Sequence, residues 1–335
     1  MSGNSIGKQL VLTTFGESHG VAVGGVLDGF PSNIKIDLEF IQSELDRRRP
    51  GKDLVSSSRK EEDRVVILSG IFEGKSTGAP VAFLIYNEDT RPEDYNHLKD
   101  FFRPSHADFT YQMKYGIRDY RGGGRSSARE TLARVCGGAF AKIFLKEKGI
   151  ILIAKVVQIG KFLIPEEQDA ADCYLRELKD RGDTTGGIIS CTITGVPAGL
   201  GEPVFDKLQA DLAKAMLSIN AVKGFEYGSG FQGASMKGSE HNDLFIPGKK
   251  EIGFQTNHAG GILGGISTGQ DICFRVAFKP VSSLMMDQQM VDNTGKTKTV
   301  PGRGRHDVCI VPRALPIVES MAALVIADHL MRCKG

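Results

Sequence analysis

The sequence predicts an α+β protein, and three observations carry that expectation. Strand-like runs follow one another as hairpins: Gln9–Phe15, rich in Val, Leu and Thr, meets Val21–Gly29 across the turn Gly16-Glu17-Ser18-His19-Gly20. Helical spacing marks Asp37–Arg47, Ser127–Lys148 and Ala314–Met331. Glycine is abundant, 41 of 335 residues with no repeat, which calls for many tight turns and close backbone approaches.

Bulk properties narrow the field. A chain that is 41% hydrophobic can bury a large core, and no linker, repeat or low-complexity tract divides it. Glycine-rich segments that look functional lie near both ends, so one domain spanning 1–335 that folds its ends together is expected. The net charge of +2 argues against bulk polyanion binding, hence against a nucleic-acid partner. Cysteines 136, 173, 191, 273, 309 and 333 are scattered without a Cys-x-x-Cys pair, as expected of free thiols in a reducing compartment. No metal site is expected, since no His-Glu-x-x-His occurs and the histidines do not pair at ligand spacing. The first residues lack a basic and an apolar region, and no apolar run reaches spanning length. A cytoplasmic protein without membrane contact is the expectation.

In chain order, Asp37 caps a helix whose apolar face is Leu38, Ile41 and Leu45, ending in Arg47-Arg48-Arg49-Pro50-Gly51. Lys52–Glu62 is a polar loop. Val65–Phe72 and Ala79–Asn87 read as strands. Gly74-Lys75-Ser76-Thr77 between them imitates a phosphate-binding loop, but Ser69 stands where its first glycine belongs. Phe109–Tyr115 is a helical turn. Ile150–Ile159 and Gly187–Gly195 are strands around an exposed helix at Glu167–Lys179. Asp206–Leu217 is an amphipathic helix, and Asp271–Phe278 another strand. Gly228–Gly233 spells Gly-x-Gly-x-x-Gly, yet it is expected to follow no clear strand and open no helix, so it is a weak dinucleotide signal. Met285–Gly304 is polar and irregular, a candidate lid. Ala314–Met331 is a core helix.

The chain is organised around Arg121-Gly122-Gly123-Gly124-Arg125-Ser126-Ser127-Ala128-Arg129-Glu130. Ser127 and Glu130 have capping-box spacing, and Leu132, Val135, Cys136, Ala139, Phe140, Ile143 and Phe144 form an apolar face behind them. Lys146, Lys148 and Gly149 close the helix. A helix N-terminus attracts anions, and here arginines and hydroxyls crowd it. Glycine, arginine, serine or histidine recur together in five loops, at 16–20, 47–51, 103–106, 121–129 and 303–307. Arginine forks bind carboxylate and phosphate bidentately, so a small substrate bearing both suits them. His19 and His106 could supply protons, and Gly16–Gly20 also matches the Gly-x-Ser-x-Gly of serine hydrolases, although a strand rather than a helix follows.

These motifs, taken in order, resemble chorismate synthases over essentially the whole length. The resemblance rests on Gly16–Pro31, Asp46–Gly51, Phe102–Asp108, Tyr120–Glu130, Ser218–Gly224, Asn257–Ile266 and Arg305–Asp307. It implies a β-α-β sandwich with helices packed between antiparallel sheets, and a homotetramer. It also implies a lyase that converts 5-enolpyruvylshikimate 3-phosphate to chorismate and phosphate by anti-1,4-elimination with reduced FMN. Catalytic roles then fall to His19, His106 and Asp307. Substrate anions fall to Ser18, Arg48, Arg49, Arg103, Ser127, Arg129 and Arg305. Flavin contacts fall to Arg125, Ser126, Ser127, Asn220, Ala221, Gly264, Lys279, Pro280, Val281, Ser282, Ser283 and Arg305. Some relatives carry a basic residue where this chain has Leu54, which with Arg48 would meet NADP. The expectation here is reliance on an external flavin reductase or reductant. Two readings of other classes stand beside it: a non-catalytic nucleotide or polyanion binder, and a serine hydrolase on Gly16–Gly20.

Overall fold

The structure, a computed structural model, describes residues 3–49, 61–89, 92–247, 252–302 and 307–333. Two five-stranded sheets enclose a layer of helices. The first runs in the order Ser5–Ile6, Val11–Gly16, Ala22–Asp28, Val81–Tyr86, Val65–Ile67, and the second Phe162–Leu163, Ile151–Ile159, Gly187–Thr194, Ile272–Phe278, Val222–Tyr227. Every neighbouring pair in both is antiparallel. The expected hairpin is present, with Val11 opposite Asp28 and Gly16 opposite Val23.

The helices are α1 (Leu38–Arg48), α2 (Asp108–Tyr115), α3 (Thr131–Glu147), α4 (Gln168–Arg181), α5 (Leu208–Leu217), α6 (Gly238–His241) and α7 (Val311–Arg332). Helix α3 packs on the first sheet and on α7, which in turn packs on the second sheet. The sandwich follows from these contacts. An inner-layer helix must be apolar on opposite faces, and α3 is: besides Leu132, Val135, Cys136, Ala139 and Phe140, it buries Ala133, Ala141 and Leu145. Helix α7 is long and apolar enough to cross a membrane, but it lies buried between the other helices and the second sheet.

Polar ties cross the layers. Glu319 of α7 accepts from Arg47 of α1 at 2.7 and 3.0 Å, Lys142 of α3 at 2.6 Å and the Ala154 N–H at 3.0 Å. Burial alone would raise the pKa of this carboxyl, but Arg47 and Lys142 outweigh it and hold it below the usual range. Asp328 Oδ1, also on α7, accepts the successive N–H groups of Lys8, Gln9 and Leu10 at 2.9, 2.6 and 2.9 Å. The segment entering the first sheet is thereby fastened to the last helix.

Several expectations need correction. Ser127 Oγ accepts from Arg129 N at 3.4 Å, but Glu130 turns to Arg134 at 2.8 Å, so the reciprocal capping box does not form. The cause is a 3₁₀ turn over Ala128–Glu130 that precedes α3. Leu38 is exposed, leaving Ile41 and Leu45 as the buried face of α1. Val65–Phe72 is two strands, broken before Gly70 at φ +84°. The polar tract after Met285 is a hairpin, Gln288–Asp292 with Thr297–Val300, that also pairs with Phe101–Phe102. Its two buried apolar residues, Met290 and Val300, pack with Leu98, a pattern too sparse to stand out among polar neighbours. Gly228–Gly233 does follow a strand, Val222–Tyr227, and does open a 3₁₀ turn, Gly230–Ser235. That strand is an antiparallel edge strand, so the parallel βαβ geometry of a dinucleotide site is not formed there.

Two glycines inside α3 account for how close the layers come. A Cβ on Gly137 would sit 2.9 Å from both Leu12 methyls, and one on Gly138 would overlap Ser320 of α7. Alanine normally stabilises a helix interior by about 1 kcal/mol relative to glycine. Gly138→Ala is instead expected to destabilise by roughly 1–3 kcal/mol through overpacking. Urea unfolding checks this, and an unchanged or higher midpoint would contradict so close an α3–α7 approach.

Candidate active site

The site is built on three successive glycines. Gly122, Gly123 and Gly124 have φ of +70°, +88° and +54°. Other residues visit this region singly at a cost, so a run of three requires glycine. The missing side chains also make room. A Cβ on Gly122 would overlap the His19 ring and lie 3.1 Å from Ser18 Oγ. One on Gly123 would lie 2.9 Å from His106 Cε1, 3.2 Å from its Nε2 and 2.8 Å from Ser126 Oγ. The two histidines therefore flank one turn of backbone.

His19 arrives on the hairpin turn of the first sheet. Ser18 Oγ is 3.0 Å from its Nδ1, and the Tyr95 ring meets it edge-on with centroids 5.0 Å apart. Asn87, at the end of the Val81–Tyr86 strand, pins that turn by donating to the carbonyls of Glu17 and Gly20 at 3.0 and 2.8 Å. Arg129 Nε in turn donates to Asn87 Oδ1.

His106 lies on the loop leading into α2. Asp108, the first residue of that helix, is buried and gathers the loop. Its carboxylate accepts from Arg103 N, Nε and Nη2 at 3.1, 2.7 and 2.9 Å, and lies 3.0 Å from His106 Nδ1. Burial pushes the His106 imidazole below its ordinary value. Burial would raise Asp108, but Arg103 and His106 reverse this and hold it far below the carboxylate range.

A third group lies beyond Ala128. Arg48, buried in α1, donates to Thr131 Oγ1 at 3.0 Å and to the Ala128 carbonyl at 3.1 Å, and lies 3.7 Å from Asp63. Arg129 pairs with Glu61 and with Asp63, the latter at 2.9 Å. Arg313 donates to the Arg48 carbonyl at 3.1 Å and pairs with Asp307 at 2.5 Å. Burial, then Arg313, disfavours the charged form of Arg48, and Asp63 offsets part of this. Arg49 instead points to Asp46 at 3.2 Å on the outer side of α1.

Several of the segments expected to contact flavin meet this loop or the His106 loop. Arg125 donates to Thr14 Oγ1 at 2.7 Å, locking the loop to the first sheet. Ser126 Oγ donates to the Gly123 carbonyl at 2.8 Å, and Ser127 caps the turn that follows. Asn220 Nδ2 donates to the Ser126 carbonyl at 2.9 Å, while its buried Oδ1 has no hydrogen-bond partner among the described residues. Ala221 holds a left-handed φ of +67°, and its carbonyl receives Lys279 N at 2.9 Å. Lys279 Nζ reaches the Ser105 carbonyl at 3.2 Å, next to His106. Val281 is held by Thr184 Oγ1 at 2.9 Å; Pro280 is exposed and Ser282 and Ser283 are half-buried. Gly264 stands on a separate turn between Ile262–Leu263 and Ile266–Ser267. Arg305 and Leu54 lie outside the described residues.

The sequence of this loop system places the chain in a known family: the chorismate synthase profile matches residues 10–331. The chain belongs to the chorismate synthase family. It is 55% identical to the chorismate synthase of Christiangramia forsetii, covering 100% of this chain and 99% of that protein. It is likewise 55% identical to that of Cytophaga hutchinsonii, over 99% and 98% of the two chains. A crystal structure of a chorismate synthase superposes with a TM-score of 0.78 at 31% identity, over 98% of this chain and 94% of that one. Membership makes the chain a lyase of aromatic amino acid biosynthesis.

Residue-type reasoning had not singled out Asn87, Tyr95, Asp108, Glu61, Asp63 or Arg313. Only Asp108 carried a local signal, two residues after His106. The acid Asp108 also sets a pH dependence. Its folded pKa lies below the ordinary 3.8, so its stabilisation is present above that value and is lost as pH falls below it. The gap in urea midpoint between the wild type and Asp108→Asn is expected to be wide near pH 7 and to narrow as pH drops below about 4. A gap independent of pH would refute this assignment.

Proposed function

We propose that the chain catalyses anti-1,4-elimination of phosphate from 5-enolpyruvylshikimate 3-phosphate to give chorismate, with reduced FMN. The observation that carries the reading is the placement of His19 against Gly122 and of His106 against Gly123, beside a buried cluster of arginines. The residues fit a flavin: Asn220 Oδ1 is a buried acceptor left unpaired, Ala221 holds a left-handed backbone next to it, and the glycines remove side chains where a planar group must approach. Ser126, Ser127, Asn220, Ala221, Gly264, Lys279–Ser283 and Arg305 would hold it, with Arg125 fixing the loop from behind. When bound, reduced FMN would supply transient electron donation without net redox change.

The chain's own residues then act on protons and charges. Ser18 engages His19 at Nδ1, which leaves Nε2 to deliver a proton to the departing phosphate. His106 would hold a proton at Nε2, the nitrogen that borders Gly123, for exchange with the bound group. Asp307, kept near Arg48 by Arg313, assists removal of the substrate proton. Substrate carboxylates would replace Glu61 and Asp63 on the Arg129 and Arg48 forks, because a charge-assisted pair is best exchanged for another. Ser127 and Arg305 would complete the anion contacts; Arg49, turned to Asp46 on the outer side of α1, and Arg103, held by Asp108, would have to leave those partners to join them. We further propose a single domain, a cytoplasmic homotetramer, and flavin reduction by an external reductase or reductant.

Anaerobic phosphate release with dithionite-reduced FMN tests the whole. His19→Ala is expected to lower kcat about 10²–10⁴-fold with KM nearly unchanged, since general acid catalysis acts in the transition state; a pure rise in KM would reassign His19 to binding. His106→Ala should also lose turnover, whereas a non-catalytic nucleotide binder would need neither histidine. The serine hydrolase reading is disfavoured because Gly16–Gly20 turns into a strand, Ala22–Asp28. The purified chain is expected not to reduce FMN with NADPH alone, and flavin bleaching under those conditions would overturn that statement.

A further inference from the structure

We infer that Asp108 is the positioning residue for His106: its carboxylate holds the Nδ1–H, so the proton exchanged at the glycine loop is the one on Nε2. The inference rests on the reading that His106 exchanges a proton with reduced flavin. The geometry is specific. Nε2 is the His106 nitrogen that borders Gly123, while Nδ1 points away from the loop toward Asp108 Oδ1 at 3.0 Å and Arg103 Nη2 at 3.1 Å. A guanidinium has donors only. Whenever Nδ1 carries a proton, Asp108 is therefore the partner that can receive it. When His106 gives up its Nε2 proton, the electron pair stays on Nε2 and the ring is left as the neutral Nδ1–H form. That form is poised to take a proton back at the same atom.

The carboxylate is built for this. Three donors from Arg103 fix it, and Arg118 Nη1 lies 3.5 Å away. Arg118 Nη2 is itself tied to the carbonyls of Leu98, Lys99 and Phe101 at 3.0, 2.8 and 2.9 Å. Among the described residues, the charges acting on His106 are then Arg103 and Lys279 against Asp108, and Arg118 lies against that same carboxylate. Without that anion the imidazolium would face the cations Arg103 and Lys279. Arg103 has a rival effect, since its Nη2 could donate to a bare Nδ1 and favour the Nε2–H form. Asp108 decides between them by rewarding a proton on Nδ1.

The test reads the ring directly and does not depend on flavin. In ¹⁵N-histidine-labelled wild type without ligand, with the His106 signal assigned by its loss in His106→Gln, the neutral ring is expected as the Nδ1–H tautomer. In Asp108→Asn it should shift toward Nε2–H. With reduced FMN, Asp108→Asn should lose about 10²-fold or more in kcat while KM for substrate stays within about threefold, and the limb of the pH profile that reports His106 should move to lower pH. An Nε2–H tautomer in the wild type overturns the inference, even if the variant fails to fold. So does a folded variant with the wild-type tautomer and pH profile. A His106→Gln enzyme that turns over normally would remove the role of His106 while leaving the tautomer result to judge Asp108 separately.

Discussion

The site depends on a backbone that bends left-handed at Gly122, Gly123 and Gly124 in succession. Such a run loses unusual amounts of conformational entropy on folding, so it persists only where surrounding contacts over-determine it. They do so here from both flanks. Arg125 ties the end of the turn to Thr14 of the first sheet, and Asn220 ties Ser126 to the segment leaving α5. The turn thus bridges the two sheets at the start of α3. Either histidine could have been placed near a helix N-terminus by an ordinary loop. Placing His19 against Gly122 and His106 against Gly123 requires side chains to be absent at both positions.

The layers that carry that turn are tied together by carboxylates. Glu319 unites α1, α3 and the second sheet, and Asp328 fastens the N-terminal segment to α7. Asp63 joins Arg48 of α1 to Arg129 just before α3. Each is a buried charge, and buried charges are tolerated only when paired and hydrogen-bonded. Their net worth in stability is small or uncertain in sign, but removing one partner strands the other. That asymmetry favours one arrangement of the helices over near alternatives. It suits a site whose elements come from residues 18, 48, 106, 129, 220 and 307.

What was legible in the sequence was what local chemistry determines. Asp37 caps α1 through Phe40 N, as its position indicated, and the hairpin around His19 follows from strand, glycine turn, strand. The apolar face of α3 was visible, but not that its other side is buried as well, because the second layer comes from α7, far along the chain. The Gln288–Val300 hairpin was hidden by its polarity; only Met290 and Val300 point inward. Asn87 left no trace, since a lone amide at the end of a strand is meaningful only once the Glu17 and Gly20 carbonyls stand beside it. The capping box failed because a 3₁₀ turn over Ala128–Glu130 precedes α3, and Glu130 pairs with Arg134 instead. Motifs located the histidines and arginines; long-range pairing decided which of them already had partners.

The two histidines differ in what surrounds them, and that difference bears on the roles proposed for them. His19 has a neutral hydroxyl on Nδ1 and an aromatic edge against its ring. His106 sits in an ionic clamp whose cations oppose protonation and whose one carboxylate permits it. A group in such surroundings responds sharply to a charge arriving on its open side. An anionic ligand at the Gly123 face would favour the imidazolium, because it adds an anion to the charge of Asp108. His106 would then take up its proton when the site is loaded. The glycine turn is what lets that anion come near enough for the effect to matter.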